Sequence, residues 1–193
     1  MTNNAETTNL PSLIPLCIAG DQFAIETLVR QFETGVFRFA LSVVDDPMEA
    51  AEIAQETFIA ALRSLPSYQE KSSFKAWLFT IALNISRSRL RKRKMMERLR
   101  AALGGALLLE SRKAKSPEEA VVQGERDAAV WRALSRLDEK HRLPVVLRYF
   151  QELSIAEIAQ ILNVNEGTIH SRLHHARERL QVELKAQFAE EES

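Results

Sequence analysis

The sequence predicts an all-α protein of two small helical domains joined by a linker, and three observations carry that prediction. Glycine and proline are scarce, six of each in 193 residues. Apolar residues recur at three- and four-residue spacing through most of the chain, the period of a helix packed on one side. The periodic stretches fall into two groups, separated by "ERLRAALGGALLLESRKAKSPEEAVVQGE", whose Gly104-Gly105 pair and Ser116-Pro117 step interrupt any continuous helix. Residues 1–19 are accordingly expected as a tail, 20–96 as a first domain, 97–125 as a linker, 126–184 as a second domain and 185–193 as an acidic tail. A chain of this length can bury a modest core in each domain.

In the first domain, "GDQFAIETLVRQF" opens a helix near Asp21, and its spacing turns Phe23, Leu28, Phe32, Val36 and Phe39 inward. The stretch "DDPMEAAEIAQETFIAALRSLP" carries clear punctuation. Asp46 can cap, Pro47 suits the first helical position, Glu49 completes a capping box, and Pro66 helps to end the run. Its core face is Ile53, Thr57, Ala60, Ala61 and Leu65, which leaves Glu49, Glu52, Gln55, Glu56 and Arg63 outward. A third helix starts after Ser72 or Ser73 as cap and buries Phe74, Trp77, Leu78, Ile81, Ala82 and Ile85. Beyond Asn84 the same helix turns into a basic run.

The second domain begins near Asp127, and Pro144 predicts a kink or a helix boundary within its apolar-periodic stretch. Ser154 and Glu157 form a capping box for a short helix over Ile155 to Leu162, with Ile155, Ile158, Ala159 and Leu162 on its core face. "NVN" is a tight turn, after which Asn165 caps a helix burying Ile169, Leu173, Ala176 and Leu180. A short helix, a three-residue turn and a second helix with a polar outer face make helix-turn-helix geometry. In that geometry the N-terminal part of the second helix meets base edges. Thr168, His170, Ser171, Arg172, His174, His175 and Arg177 project from it. An ordinary helical hairpin with a solvated face is the plainer alternative. His170 and His174 stand four residues apart, but no third metal ligand is visible nearby, so no metal site and no cofactor are expected.

The chain balances 26 basic against 26 acidic side chains, so its bulk charge draws it neither to nucleic acid nor to membrane. The distribution is uneven. Residues 84–100 hold eight basic side chains against Glu97 alone, whereas Asp45 to Glu56 holds five acids and no base. Arg87, Arg91, Lys94 and Arg98 share one helix face, with Arg89 and Arg93 beside it. Like charges so arranged repel by a few tenths of a kcal/mol per pair. A phosphate backbone would offset that repulsion and make binding steeply salt-dependent. A solvated helix end or a membrane-surface helix are the alternatives, the latter disfavoured because the run lacks a facing stripe of large apolar residues. Cys17 is the only cysteine, which rules out an intrachain disulfide and a multi-thiolate zinc site and fits a reducing cytoplasm. No apolar run approaches the roughly 18 residues of a membrane span. Neither a nucleophile–base pair nor a phosphate-binding glycine loop appears, so catalysis by the chain itself is not expected.

Four segments, in order and spacing, resemble one family. "GDQFAIETLVRQF", "AAEIAQETF", "FKAWLFTIALN" with its basic run, and "SIAEIAQILNVNEGTIHSRLHHAR" are similar to the extracytoplasmic-function (ECF) group of bacterial RNA polymerase sigma factors, in the sigma-70 family, over about residues 20 to 182. The resemblance implies that residues 20–96 are sigma region 2 and 126–184 sigma region 4. It implies a transcription initiation factor of the cytoplasm that directs core polymerase to promoters and helps open them, in a stress or envelope response. Glu49, Glu52, Gln55 and Glu56 would then dock on the clamp of the polymerase's largest subunit, with the flap as a further contact. Asn84, Arg87, Arg89, Arg91, Lys92 and Arg93 would meet the minus-ten promoter DNA, and the seven side chains of the helix-turn-helix the minus-thirty-five element. An anti-sigma factor is an implied partner.

Melting requires that unstacked single strand be favoured over duplex. Trp77 could stack on a base, although its place beside Phe74, Leu78 and Ile81 argues for core packing. The chain departs from the family pattern at Ala51, where an acid is frequent, and at Ser88, where Asp is common. His170 and His175 stand where relatives often carry Arg or Lys, and a histidine cannot form the guanidinium fork that reads guanine. The family's minus-thirty-five preference is therefore not transferable. A stand-alone dimeric regulator binding duplex operators, or a helical adaptor that binds only protein, are readings of other classes.

Overall fold

Helix α1 (Leu10–Ile18) occupies part of the segment expected as a tail and packs on the next helix through the buried Leu13 and Cys17. The structure, a computed structural model, describes residues 10–69, 73–102 and 125–191. Gly20, at φ 84°, turns the chain into α2 (Gln22–Val44), where Asp21 accepts a hydrogen bond from the Ala24 amide at 2.8 Å. The buried stripe of α2 runs through Ala24, Leu28, Phe32, Val36 and Phe39. Phe23, expected inside, is 79% exposed, because it precedes Leu28 by five residues and Ala24 takes the position one turn before it.

Asp45 ends α2 in the left-handed conformation, and Asp46 starts α3 (Pro47–Ser64) by accepting from the Glu49 amide. The Glu49 carboxylate, expected to reach back to the cap, pairs instead with Arg93. Ile53, Thr57, Ala61 and the following Leu65 are buried as expected, while Ala60 is half-buried and Phe58 joins the core. A 3₁₀ turn, Leu65–Ser67, closes the helix at Pro66.

Ser73 is the cap of α4 (Phe74–Ala102), its hydroxyl oxygen accepting from the Ala76 amide at 3.2 Å. The buried arc of α4 is wider than a single stripe. Ala76, Phe79 and Leu83 are fully buried, whereas Trp77, Ile81 and Ile85, placed on the core face by spacing, are half-buried. The cause is that α4 has neighbours on several sides, packing on α2 and α3 and also on a helix of the second domain. Phe79 meets Phe39 edge-on with ring centroids 5.3 Å apart, and Phe74 packs on Phe32, Tyr68 and Trp77. The helix also runs beyond the expected boundary at 96, carrying residues 91–99 out into solvent on rigid backbone. The rest of the expected linker, 103–124, lies outside the described residues.

The second domain comprises α5 (Glu125–Ser135), α6 (Glu139–Val145), α7 (Ile155–Leu162) and α8 (Glu166–Glu191). Asp138 caps α6, and a π-turn over Val146–Phe150 follows Pro144, which marks the predicted boundary. Ser154 and Glu157 form the full capping box of α7. Asn163, left-handed at φ 53°, ends α7, and Asn165 accepts from the Thr168 amide at 2.7 Å to begin α8. Ile169, Leu173 and Ala176 are buried, with Leu180 half-buried, and α7 adds Ile161 to its expected core face while Ile155 is only half-buried. Helix α8 continues through most of the expected acidic tail. The apolar interiors of the two domains join into one continuous core, with α4 against α7 and α2 against α6 and the π-turn. Among the described residues no strand occurs and no helix is long and apolar enough to cross a membrane.

Candidate nucleic-acid interface

Two surfaces carry the side chains that sequence reasoning singled out. The first lies where the C-terminal half of α4 passes α3. Arg89 donates from Nη1 to Glu52 Oε2 at 2.9 Å and from Nη2 to Glu56 Oε1. Arg93 donates from Nη1 to Glu49 Oε2 at 2.9 Å and lies 3.4 Å from the Val44 carbonyl at the C-terminal end of α2, where a cation is favoured by the helix dipole. Hydrogen bonds to Glu56 and then Glu52 hold the Arg89 guanidinium even further toward its charged form than usual. Acids and arginines that lie in two separate segments of the sequence are thus joined across one helix–helix seam. Gln55 is exposed on the same stretch of α3.

Arg87 turns the other way. Its Nε and Nη2 both donate to Glu139 Oε1 of the second domain, at 3.2 and 3.1 Å. Arg91 and Lys92, with Lys94 and Arg98 further on, are exposed on the projecting part of α4. Exposed Met95, Met96 and Leu99 lie among them. Asn84 is exposed between the buried Leu83 and the half-buried Ile85. Trp77 is half-buried against Tyr68 and Phe74, with ring centroids 5.1 and 5.5 Å away, so core packing accounts for it.

The second surface is the first half of α8. His170, Ser171, His174, His175 and Arg177 are exposed, whereas Thr168 and Arg172 are half-buried. The Thr168 hydroxyl donates to Asn165 Oδ1 at 2.8 Å, so this side chain serves the helix start. Arg177 donates to the exposed Tyr149 hydroxyl at 3.0 Å, and that hydrogen bond favours its charged form. His174 and His175 both approach the Glu178 carboxylate, at 3.6 and 3.3 Å. The buried His141 faces Asp138 and stacks edge-on toward His175 with ring centroids 6.3 Å apart. Burial raises the Asp138 carboxyl, but the hydrogen bonds and charge of His141 and the charge of Lys140 bring it below its ordinary 3.8. Among the described residues no group of three histidine, cysteine or acidic side chains is placed to hold a metal.

The two surfaces differ in chemistry, one a row of exposed cations and the other a polar, histidine-rich helix face. Exposed cations on a rigid helix can neutralise phosphates, and a polar face at the start of the second helix of a helix-turn-helix can meet base edges. Sequence reasoning missed Tyr149 and Glu178, which fix Arg177 and the two histidines. It also missed the contacts between the domains, for which a glycine inside α2, Gly35, was the available signal.

Comparison with known proteins agrees in both halves. Residues 28–95 match the family model for Sigma-70 region 2, and residues 127–180 the model for Sigma-70, region 4. The chain is 34% identical over 171 residues to the ECF RNA polymerase sigma factor SigW of Bacillus subtilis, covering 86% of this chain and 91% of that protein. It is 32% identical to the RNA polymerase sigma-H factor of Pseudomonas aeruginosa, covering 82% and 85%. Among solved structures it resembles the sigma factor RpoE of Bartonella quintana in complex with the anti-sigma factor NepR, with a TM-score of 0.66, 27% identity and 83% and 96% of the chains covered. CnrH in complex with the cytosolic domain of CnrY gives a TM-score of 0.62 at 25% identity, covering 90% and 96%.

Proposed function

The chain belongs to the ECF group of sigma-70 family RNA polymerase sigma factors, and from that premise we propose how its surfaces divide the work of starting transcription. It binds core polymerase, directs it to particular promoters and helps open the DNA there, in a stress or envelope response. Sigma factors act as initiation factors and leave catalysis to the polymerase; this chain works in the cytoplasm beside that enzyme and contributes no catalytic group of its own.

In this reading Glu49, Glu52, Gln55 and Glu56 on α3 dock on the clamp of the largest subunit, and the second domain meets the flap. Asn84, Arg87, Arg89, Arg91, Lys92 and Arg93 on α4 hold the minus-ten DNA. Thr168, His170, Ser171, Arg172, His174, His175 and Arg177 face the minus-thirty-five element; Thr168 contributes by fixing the start of α8 and Arg177 through a guanidinium braced by Tyr149. An anti-sigma factor, as NepR is to RpoE of Bartonella quintana, is a further partner. The observation that carries the reading is the order of the two heads, a helix with exposed cations at its projecting end followed by a capped helix-turn-helix.

The test is capture of bacterial core polymerase by the purified chain, followed by run-off transcription from a promoter library with the chain added or omitted. Core capture with new, sequence-selective transcripts is expected. Tight binding to duplex DNA alone, with half-sites one helical turn apart and no core capture, would replace the sigma reading with that of a dimeric operator-binding regulator.

A further inference from the structure

All four histidines of the chain lie in α6 or α8, and three of them gather beside one carboxylate. Glu178 spans two imidazoles, its Oε1 3.6 Å from His174 Nε2 and its Oε2 3.3 Å from His175 Nδ1. The two rings stand 5.6 Å apart, and His175 in turn faces the buried His141 of α6. His174, His175 and Glu178 are each more than half exposed, and His170 is exposed one turn before His174.

Other acids of the domain serve the fold. Asp138 caps α6, Glu157 completes the capping box of α7, and Glu183 pairs with Arg136 of α5. Glu178 is given instead to two side chains of its own helix, on the face assigned to DNA. With the imidazoles neutral, the exposed cation next to it, Arg177, is matched by one anion and the patch has no net charge. With both imidazoles protonated, three cations surround that anion. Histidine is the side chain whose ordinary titration falls between pH 5 and 8.

The elements packed on α8 decide what else the two rings feel. Lys140, His141 and Arg142 of α6 and Arg179 of α8 are the cations nearby. Lys140, His141 and Arg179 all approach Asp138, and Arg142 donates to the Ser135 carbonyl. Glu139 is engaged by Arg87, Arg136 of α5 by Glu183, and Glu157 of α7 by Ser73 and Ser154. Tyr149 of the π-turn holds Arg177. Asp138 and Glu178 are thus the two carboxylates that stand among the histidines and offset the charge these gain in acid.

We propose that Glu178, His174 and His175 make DNA binding by α8 acid-dependent, protonation turning a patch of no net charge into a positive one that holds phosphate. The proposal rests on the reading of α8 as the DNA-facing helix. Glu178 is a positioning residue, fixing both rings on the outer face, and the imidazolium groups meet the phosphates. Each phosphate neutralised adds about 0.9 to the slope of log affinity against log salt, about eightfold in affinity between 1 M and 0.1 M salt.

The test uses the full chain without polymerase and anisotropy of a fluorescein-labelled mixed-sequence duplex, titrated with salt at pH 6 and at pH 8. Circular dichroism at both values checks that helicity is unchanged. At about 0.1 M salt the wild type should bind at least about eightfold tighter at pH 6, with a salt slope steeper by about 1 to 2. The cations of α4 keep their charge across this range, so they do not imitate the effect. His174→Asn with His175→Asn should lose most of the difference between the two pH values, and Glu178→Gln should bind more tightly than the wild type at pH 8. A pH difference as large in the double variant as in the wild type, or no gain from Glu178→Gln, would overturn the proposal. Should the double variant fold poorly, His174→Asn alone replaces it and should lose about half of the added slope. Run-off transcription with core polymerase judges the sigma reading separately. Transcription without a pH difference in duplex binding strikes this proposal alone, whereas a pH difference without core-dependent transcription strikes the sigma reading and leaves the charge switch of α8 standing.

Discussion

Replacing Gly35 with alanine should give opposite results depending on one side chain 116 positions away. In an isolated helix the change is stabilising by about 0.8–1 kcal/mol, because glycine has the larger backbone entropy to lose. Here the new methyl would meet Gln151 Oε1 at 2.7 Å. Gln151 is almost fully enclosed, so it cannot swing clear into solvent, and overpacking of this kind typically costs 1–3 kcal/mol. The sum for Gly35→Ala alone is therefore between about zero and 2 kcal/mol of destabilisation. In a Gln151→Ala background the obstruction is gone, and the same change should stabilise by about 1 kcal/mol. A double-mutant cycle by urea denaturation, read as midpoint shifts at constant slope, should thus give a coupling of about 1–3 kcal/mol between residues in different domains. Equal stabilisation in both backgrounds, within about 0.5 kcal/mol, would refute the reasoning, since the two residues would not then be neighbours in solution.

Three further outcomes follow from local features. Phe79→Ala removes a side chain with no exposed surface that packs edge-on against Phe39, and thermal unfolding should show a loss of about 3–5 kcal/mol. Ser154→Ala deletes the capping box of α7 and should cost about 1 kcal/mol in chemical denaturation, whereas Ser154→Thr, which keeps the hydroxyl, should recover most of it. Burial raises the Glu157 carboxyl, but hydrogen bonds from Ser73 and Ser154 and the charge of Lys75 outweigh it and leave the group below its ordinary 4.5. A carboxyl depressed by folding contributes stability above its unfolded value and loses it as pH falls through its folded one. The denaturation midpoint should therefore drop below pH 4.5, and Glu157→Gln should flatten that part of the acid limb; an unchanged limb would show that the group is not held as described.

How much of this was legible depended on distance along the chain. The helix-turn-helix was readable because its signals are local: Ser154 and Glu157, or Asn165 and Thr168, bond across three residues. Helix α1, in the segment expected as a tail, was not, because it contains Pro15 and is held by burying Leu13 and Cys17 on α2, a contact no local signal announces. Phe23 stands five residues before Leu28, off the buried stripe, and the small Ala24 occupies the core position. For the candidate site, the kinds of charge were readable and their pairing was not. Arg89 reaches Glu52 across 37 positions, and which acid faces which arginine follows from the register of α4 against α3. Three-residue periodicity likewise assigned α4 one buried stripe, since a sequence window does not reveal that a helix from a second domain lies behind it.

The pairing of Arg89 and Arg93 with α3 bears on where the free protein spends its time in a cell. A chromosome offers millions of non-specific sites, and a subunit with an open basic face would be spread across them before meeting polymerase. Such binding is driven by the release of counterions from phosphates that the protein's cations neutralise. Arginines already neutralised by acids of their own domain contribute little to that release, and the molecule as a whole carries no net charge. The acids that quench them are those assigned to the polymerase. Docking that engages Glu49, Glu52 and Glu56 would free Arg89 and Arg93 at the moment when DNA is within reach, so the complex would hold phosphate more tightly than the free subunit does with Arg91, Lys92, Lys94 and Arg98 alone.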